Sequence, residues 1–232
     1  MILLLETSTL NCSVALASAE GSCVARRDES GEKHQHAERL HLLIDELLID
    51  THTQRTDLTA IAIGKGPGSF TGLRIGTSAA KGMCAGLGIP LLAPSPLRAL
   101  QHLGESLHPQ FAGRPNRIIP AVDARRMELY TFDEKGEVAA VVVDETFRQD
   151  LGHGPALLIG DGAEKCREAL GSHPSEWQFE QAFPTAADLI PESMILWQSG
   201  QFEDVGEFEP FYFKDFVPGR PKDPLGLRNP HP

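Results

Sequence analysis

The chain has 232 residues, 41% of them hydrophobic and 23% charged, with a formal net charge of −11. That length allows one large domain or two small ones around a substantial core. The acidic balance argues against a protein that grips nucleic acid by itself, because phosphate binding needs clustered Lys and Arg, and no run approaches the ~18 apolar residues of a membrane span.

Met1-Ile2-Leu3-Leu4-Leu5 lacks the basic start and the length of a signal sequence and predicts a buried strand over 2–6. Strands follow over 13–19 and 22–27, with Gly21 turning one into the other. Cys12, Cys23, Cys84 and Cys166 form no C-x-x-C pair and read as reduced structural thiols of a cytoplasmic protein. A helix is predicted over 36–50: Leu40, Leu43, Ile44 and Leu47 make one face, and Leu42 and Ile49 make a second apolar line off it. A surface helix usually carries one stripe, so two imply contact from two sides. His36 and His41 miss the i, i+4 spacing of a paired site, and with His34 they read as solvated histidines.

Leu58-Thr59-Ala60-Ile61-Ala62-Ile63 then alternates as a strand, and Gly64-Lys65-Gly66-Pro67-Gly68-Ser69-Phe70-Thr71-Gly72 forms a turn. Ser69 or Thr71 caps the helix that follows, on which Leu73, Ala80, Cys84 and Leu87 recur at helical spacing. Strand, turn and helix aim backbone N–H groups at one point, which suits an anion. Neither G-x-x-x-x-G-K-[ST] nor a helix-opening G-x-G-x-x-G is present, so a tight strand-to-helix connection is the favoured reading. Gly72, Gly76 and Ala80 are spaced by four, with Ala79, Gly82 and Gly86 on neighbouring turns. Glycine in a helix interior costs roughly 0.5–1 kcal/mol relative to Ala. This many small residues therefore imply close approach of another backbone, from the sheet beneath or from a partner's helix.

A short strand over 90–93 and a helix starting over 96–103 complete a first subdomain, 1–106. Residues 107–116, rich in Pro, Gly and polar residues, read as a linker. In the second subdomain, 117–216, strands are predicted over 117–122, 127–132, 137–144 and 156–160, with a turn over 133–136. A helix over 163–170, a strand over 177–179 and a helix over 186–198 follow, the last kinked or divided by Pro191. Residues 208–213 add a late strand or arm, and 217–232 read as a disordered tail. The order β-β-β-α-β-α thus occurs once clearly and once in degraded form. Duplicated, it is the α/β signature of the actin and sugar-kinase (ASKHA) class.

Leu4-Leu5-Glu6-Thr7-Ser8-Thr9, Ser13-Val14-Ala15-Leu16, His36-Ala37-Glu38-Arg39-Leu40, Gly66-Pro67-Gly68-Ser69-Phe70-Thr71-Gly72-Leu73-Arg74-Ile75-Gly76 and Asp123-Ala124-Arg125-Arg126-Met127-Glu128-Leu129-Tyr130 occur in this order. Together they resemble the TsaB (YeaZ) family, with Gly160-Asp161-Gly162 fitting more loosely. TsaB proteins are accessory subunits in making threonylcarbamoyladenosine beside the anticodon of tRNA. The resemblance implies a heterodimer with TsaD, the subunit that transfers the threonylcarbamoyl group, joined by the small ATPase TsaE. The face of helices 36–50 and 73–87 is also expected to pair as a homodimer when the chain is alone, since related surfaces on duplicated folds can substitute for each other, and tRNA is expected to be met only through the complex. TsaD relatives carry a metal-binding His-x-x-x-His pair; aligned through Gly66-Pro67-Gly68 and Ile89-Pro90, its positions hold Pro96 and Leu100, which cannot ligate a metal. The chain is therefore expected to be non-catalytic, with no metal and no tightly held cofactor, ATP or ADP belonging at the interface of the complex.

The expected partner interface is Leu42, Ile49, Gly72, Gly76, Ala79, Ala80 and Met83, and Gly76→Arg is expected to abolish pairing without loss of stability. Glu6, Thr7, Ser8, Gly68 and Ser69 lie where nucleotide-binding members of the fold class hold phosphates. Most relatives have Asp where this chain has Glu6, and a structural hairpin with Ser/Thr turn bonds is the favoured reading. For the segment Asp123 to Glu128 two readings stand, a polar interdomain site or a loop salt-bridge network. Arg74 and Lys81 read as solvent or interface charges, and no Ser or Thr here has a triad partner at recognisable spacing. The rival reading, an ATP-dependent small-molecule kinase or carbamoyl-type transferase of the same fold, would need Glu6 and Asp123 as its acids. A self-contained RNA-binding module is disfavoured by the charge.

Overall fold

A computed structural model describes residues 1–31, 35–152, 154–171 and 176–214; the expected tail over 217–232 and His34 lie outside the described residues. In the first half β1 (Ile2–Glu6), β2 (Asn11–Ala17), β3 (Cys23–Ser30), β4 (Ala60–Ile63) and β5 (Leu91–Leu92) form one sheet in the order β3-β2-β1-β4-β5. β1 runs antiparallel to β2 and parallel to β4. Side chains alternate across the sheet: Leu3, Leu5, Val14, Leu16, Ile61 and Ile63 join the core beneath α1 (His36–Asp50) and α2 (Phe70–Leu87), while Ile2, Leu4, Ala15, Ala17, Ala60 and Ala62 join the core on the other side. Both faces are covered, which is why β1 and β4 read as near-continuous apolar runs.

The second half repeats the plan. β6 (Ile118–Pro120) and β7 (Val122–Asp123) are two pieces of its central strand, followed by β8 (Glu128–Phe132), β9 (Val138–Val142), α4 (Glu145–Leu151), β10 (Ala156–Ile159), α5 (Ala163–Leu170) and β11 (Trp177–Glu180). Their sheets run β11-β10-β6 and β7-β8-β9, the order of the first half split between β6 and β7. The split falls beside Pro120, which brings no N–H to a ladder. This is the duplicated actin-like, sugar-kinase fold. α4 was not anticipated; Asp144 caps it, its carboxylate accepting from the N–H groups of Thr146 and Phe147. Pro191 sits in the first turn of α6 (Ile190–Ser199), after a separate 3-10 turn over Ala187–Leu189, where its missing N–H costs nothing.

The cores do not divide at residue 106. α3 (Pro96–Leu107) sends Leu97 and Leu100 into the second half's core, against Ile118 and Leu157, while its Ala99 packs beneath the first sheet. Conversely Leu189, Ile190 and Met194, at the far end of the chain, cover Ile2, Leu4 and Ala15 of the first sheet. Segment 107–116 is no free linker: it carries 3-10 turns over Pro109–Phe111 and Pro115–Arg117, and Phe111 is buried with Leu97 and Leu100. Each sheet needs both faces covered, and the two halves supply one another's helices.

The glycines of α2 also correct the expected interface. A Cβ on Gly72 would lie 2.1 Å from the carbonyl oxygen of Thr7, and one on Gly76 would lie 2.2 Å from Thr7 Oγ1 and 2.8 Å from Ile63. Ala80 is fully buried in the same core. Gly72, Gly76 and Ala80 therefore face the protein's own sheet and first hairpin, not a partner. His36 is likewise buried rather than solvated, its ring 3.5 Å from where a Cβ of Gly72 would stand. Gly82, by contrast, opens on empty space. Gly76→Arg should accordingly lower Tm by roughly 5 °C or more, from overpacking alone, whereas Gly82→Arg should leave it within about 2 °C. Thermal melts of the two variants check this; equal losses would overturn the packing argument.

Candidate functional site

Two surfaces merit a functional reading. The first is the outer face of α1 and α2. Leu42 and Ile49, the second apolar line of α1, are 49% and 70% exposed. Between the helices lies a shallow depression of about 540 Å³ bordered by His41, Ile75, Ala79, Gly82 and Met83. Of the residues expected at the interface, Leu42, Ile49, Ala79 and Met83 thus lie on or beside open surface. Lys81 does not point outward: its ammonium donates to the carbonyls of Gly206 and Phe208, tying down the C-terminal segment.

The second surface is the cleft between the halves, built from the loops at the carboxyl ends of the central strands. From the first half come the β1–β2 hairpin, Thr7 to Thr9, and the Gly-rich loop after β4; from the second, Asp123 to Arg125 and Asp161. The Gly-rich loop lies hard against the hairpin. The N–H of Ser69 donates to Ser8 O at 2.7 Å, and a Cβ on Gly68 would stand 2.3 Å from that oxygen. Gly66 has φ +96°, a left-handed conformation that favours glycine. Ser69 caps α2, its hydroxyl accepting from Gly72 N–H.

This packing decides the fate of the expected nucleotide-binding residues. Ser8, Gly68 and Ser69 line the cleft, but Glu6 and Thr7 are fully buried behind it. Glu6 Oε1 accepts from Ser8 N–H at 2.6 Å, while Oε2, wedged against Gly64, has no hydrogen-bond partner. Burial pushes the Glu6 carboxyl up to about 7, against the opposing pull of its hydrogen bonds from Ser8 and Thr7. A carboxyl enclosed in this way, with no opening to the cleft, is a poor bridge to a metal-bound phosphate.

On the opposite wall the segment Asp123 to Glu128 forms a loop salt-bridge network, and its Asp123, Ala124 and Arg125 line the cleft. Asp123 accepts from Lys165 Nζ and from Arg125 N–H, and its own N–H donates to Asp161. Lys165 also donates to the carbonyls of Arg126 and Glu128, completing a loop network. Arg125 and Arg126 both adopt positive φ, 69° and 53°, and Arg125 lines the cleft. Burial, with the Asp123 charge adding to it, raises the Asp161 carboxyl to about 6. No sequence pattern announced Lys165, and Asp161 stands only in the loosely fitting Gly160-Asp161-Gly162.

A C-terminal arm crosses the mouth of this cleft. Phe211 N–H donates to Lys65 O at 2.7 Å, Tyr212 stacks on Phe70 with centroids 4.9 Å apart, and Phe213 meets Tyr130 at 5.7 Å. Lys214 bonds to Glu128 and to the carbonyl of Ala124. The expected late strand over 208–213 is this arm, touching both halves. The space it borders holds about 450 Å³. Among the described residues no group of three or more His, Cys, Asp or Glu stands together as a metal site, and no helix is long and apolar enough to cross a membrane.

Comparison with known proteins adds three findings. A family model described as "TsaD: tRNA N6-adenosine threonylcarbamoyltransferase" matches residues 30–173. The "tRNA threonylcarbamoyladenosine biosynthesis protein TsaB" of Escherichia coli strain K12 is 30% identical, covering 93% of this chain and 95% of its own length. The protein of that name from Haemophilus influenzae is 34% identical, over 94% and 98%. Among solved structures, YeaZ from Pseudomonas aeruginosa superposes with a TM-score of 0.74 at 28% identity, over 91% of this chain and 98% of that one.

Because folding favours the protonated form of Glu6, the stability it contributes is complete below pH 4.5 and is lost as pH rises through about 7. Glu6→Gln keeps the shape and removes that loss. The variant should therefore melt at least ~3 °C above the parent chain at pH 8, with the gap closing by pH 5. A gap independent of pH would remove the buried carboxyl from the account.

Proposed function

The chain belongs to the TsaB family of tRNA threonylcarbamoyladenosine biosynthesis proteins, and from that premise we propose that it is a non-catalytic accessory subunit which binds and activates the TsaD transferase, together with the TsaE ATPase. The observation that carries the reading is the 30–34% identity to proteins of that name across more than nine-tenths of the chain. The chemistry of the cleft supports the non-catalytic part. Pro96 and Leu100 stand where the resemblance places the transferase's metal-binding histidines, the first opening α3 and the second buried. Glu6, which a kinase reading needs as a working carboxylate, is fully enclosed, and burial raises its pKa to about 7. Asp123, the other acid of that reading, is held by Lys165. The kinase or transferase alternative has no further support.

The docking surface proposed for TsaD is the α1–α2 face, with Leu42, Ile49, Ala79 and Met83 at its centre and Ile75 and Gly82 beside them. Exposed aliphatic groups and a Cβ-free position give the apolar core that an interface wants, with few charges to desolvate. The same face serves for self-association when the partner is absent. No nucleotide is held tightly by this chain alone; ATP or ADP binds where the subunits meet, and tRNA modification takes place in the cell's cytoplasm.

Light scattering of the chain mixed with the TsaD homologue of the same cell tests the reading. A defined heterodimer at micromolar concentration is the expected result, lost in Gly82→Arg while the variant's Tm stays unchanged. A chain that remains indifferent to TsaD would overturn the accessory assignment. A heterodimer that tolerates Gly82→Arg would move the contact off this face.

A further inference from the structure

Net charge hides how the cations are distributed. At the mouth of the interdomain cleft, Arg125 and Arg126 are in no ion pair among the described residues, and neither is Arg74, which stands between this mouth and the α1–α2 depression that it borders. Arg74 lies over the Phe70 ring at 5.5 Å, and Arg125 shares the cleft wall with Lys214 and Tyr212. Lys214 and Lys165 add two cations, paired with Glu128 and Asp123. The acids of the mouth are these two, Asp161, whose burial raises its pKa, and Glu209 near Tyr212. The mouth thus holds arginines without carboxylate partners in a chain of net charge −11.

Interleaved with these cations are exposed apolar faces. Phe211, Tyr212 and Phe213 are 42%, 38% and 38% exposed, and Met127 at the tip of the arginine hairpin is 45% exposed. Adjacent aromatic rings in a protein arm ordinarily turn inward; these three lie along the rim, Phe211 against Phe213 at 5.8 Å and Phe213 against Tyr130 at 5.7 Å. Cations beside open aromatic faces match unpaired nucleotides, whose phosphates need Lys or Arg and whose bases stack on rings at about 1–3 kcal/mol per base. An acidic peptide would use the arginines but has no use for the rings. The sequence shows no such interleaving because the patch is assembled from four separate segments, around residues 70–74, 124–127, 165 and 211–214.

We infer that this cleft mouth is a contact surface for an unpaired segment of RNA, with Arg125 and Arg126 on phosphates and the Phe211–Phe213 rim against bases. The inference rests on the tRNA-modification reading above, and it differs from the expectation that tRNA meets only the other subunits. The chain alone remains a weak binder, since its overall charge repels RNA; the patch acts once a partner holds the RNA close.

The test uses the complex of this chain with its TsaD homologue and a fluorescein-labelled unmodified tRNA. Ultraviolet cross-linking followed by peptide mapping should place RNA adducts on 211–213 and 125–127 of the unaltered chain, a readout that needs no variant to fold. Arg125→Gln with Arg126→Gln should weaken binding about tenfold at ~0.1 M salt and flatten the plot of log K against log salt by about 1.4, the value for two single-strand phosphate contacts. Adducts confined to the partner subunit, or an unchanged slope in a complex of unchanged mass, would overturn the inference while leaving the accessory reading intact. Displacement of the RNA by polyglutamate with no adducts on the rim would assign the patch to an acidic protein instead and overturn it as well. Failure of the complex to form removes both readings, and light scattering identifies that case.

Discussion

The structure depends on one close approach, that of α2 and its leading loop to the β1–β2 hairpin. Gly64, Gly68, Gly72 and Gly76 present no Cβ to Glu6, Thr7 and Ser8, and any Cβ added there would come within 2.0–2.3 Å of a hairpin atom. Two of these glycines lie inside a helix, at roughly 0.5–1 kcal/mol each. What they allow is burial of the helix directly on the sheet, with Leu73 and Ala80 in the core behind it. The contact has a second cost. Glu6 Oε2 and Thr7 Oγ1 are buried with no hydrogen-bond partner, and each such group is worth about 1–3 kcal/mol of lost solvation.

The two halves are interlocked rather than joined end to end. α3 inserts Leu97 and Leu100 into the second core while touching the first through Ala99, and the last helix returns to cover the first sheet. The C-terminal arm then ties the first half's Lys65 and Phe70 to the second half's Tyr130 and Glu128. A hinge between rigid lobes, the usual way for this fold class to close over a ligand, is braced on three sides. The bracing leaves two outward faces of different character. The α1–α2 face is shallow and lined mostly by small and aliphatic side chains; the cleft mouth carries unpaired arginines beside aromatic rings.

Much of this was legible in the chain. The apolar run over 2–5, the 36–50 periodicity, and the strand-turn-helix unit around Gly66 each depend on contacts a few residues apart, and they gave elements of the right kind and order. α1 was read to the residue, and Ser69 was named among the caps. α4 was missed because seven residues carry little periodicity and its Asp144 cap resembles any loop aspartate.

What the sequence by itself determined was the duplicated β-β-β-α-β-α plan and the family likeness, since both reside in local periodicity and in motif order along the chain. Only the tertiary structure decided which neighbour each face meets. The spacing of Gly72 and Gly76 demanded a close backbone, but the same spacing serves an internal hairpin or a partner helix, and the choice fell to Thr7, more than sixty residues away in sequence. The exchange of α3 and α6 between cores, and the meeting of Arg125, Lys214 and Tyr212 at one cleft, likewise join segments that no period relates. Burial drives such contacts without direction along the chain, so the sequence carries the residues that will be buried or exposed but not the company they keep.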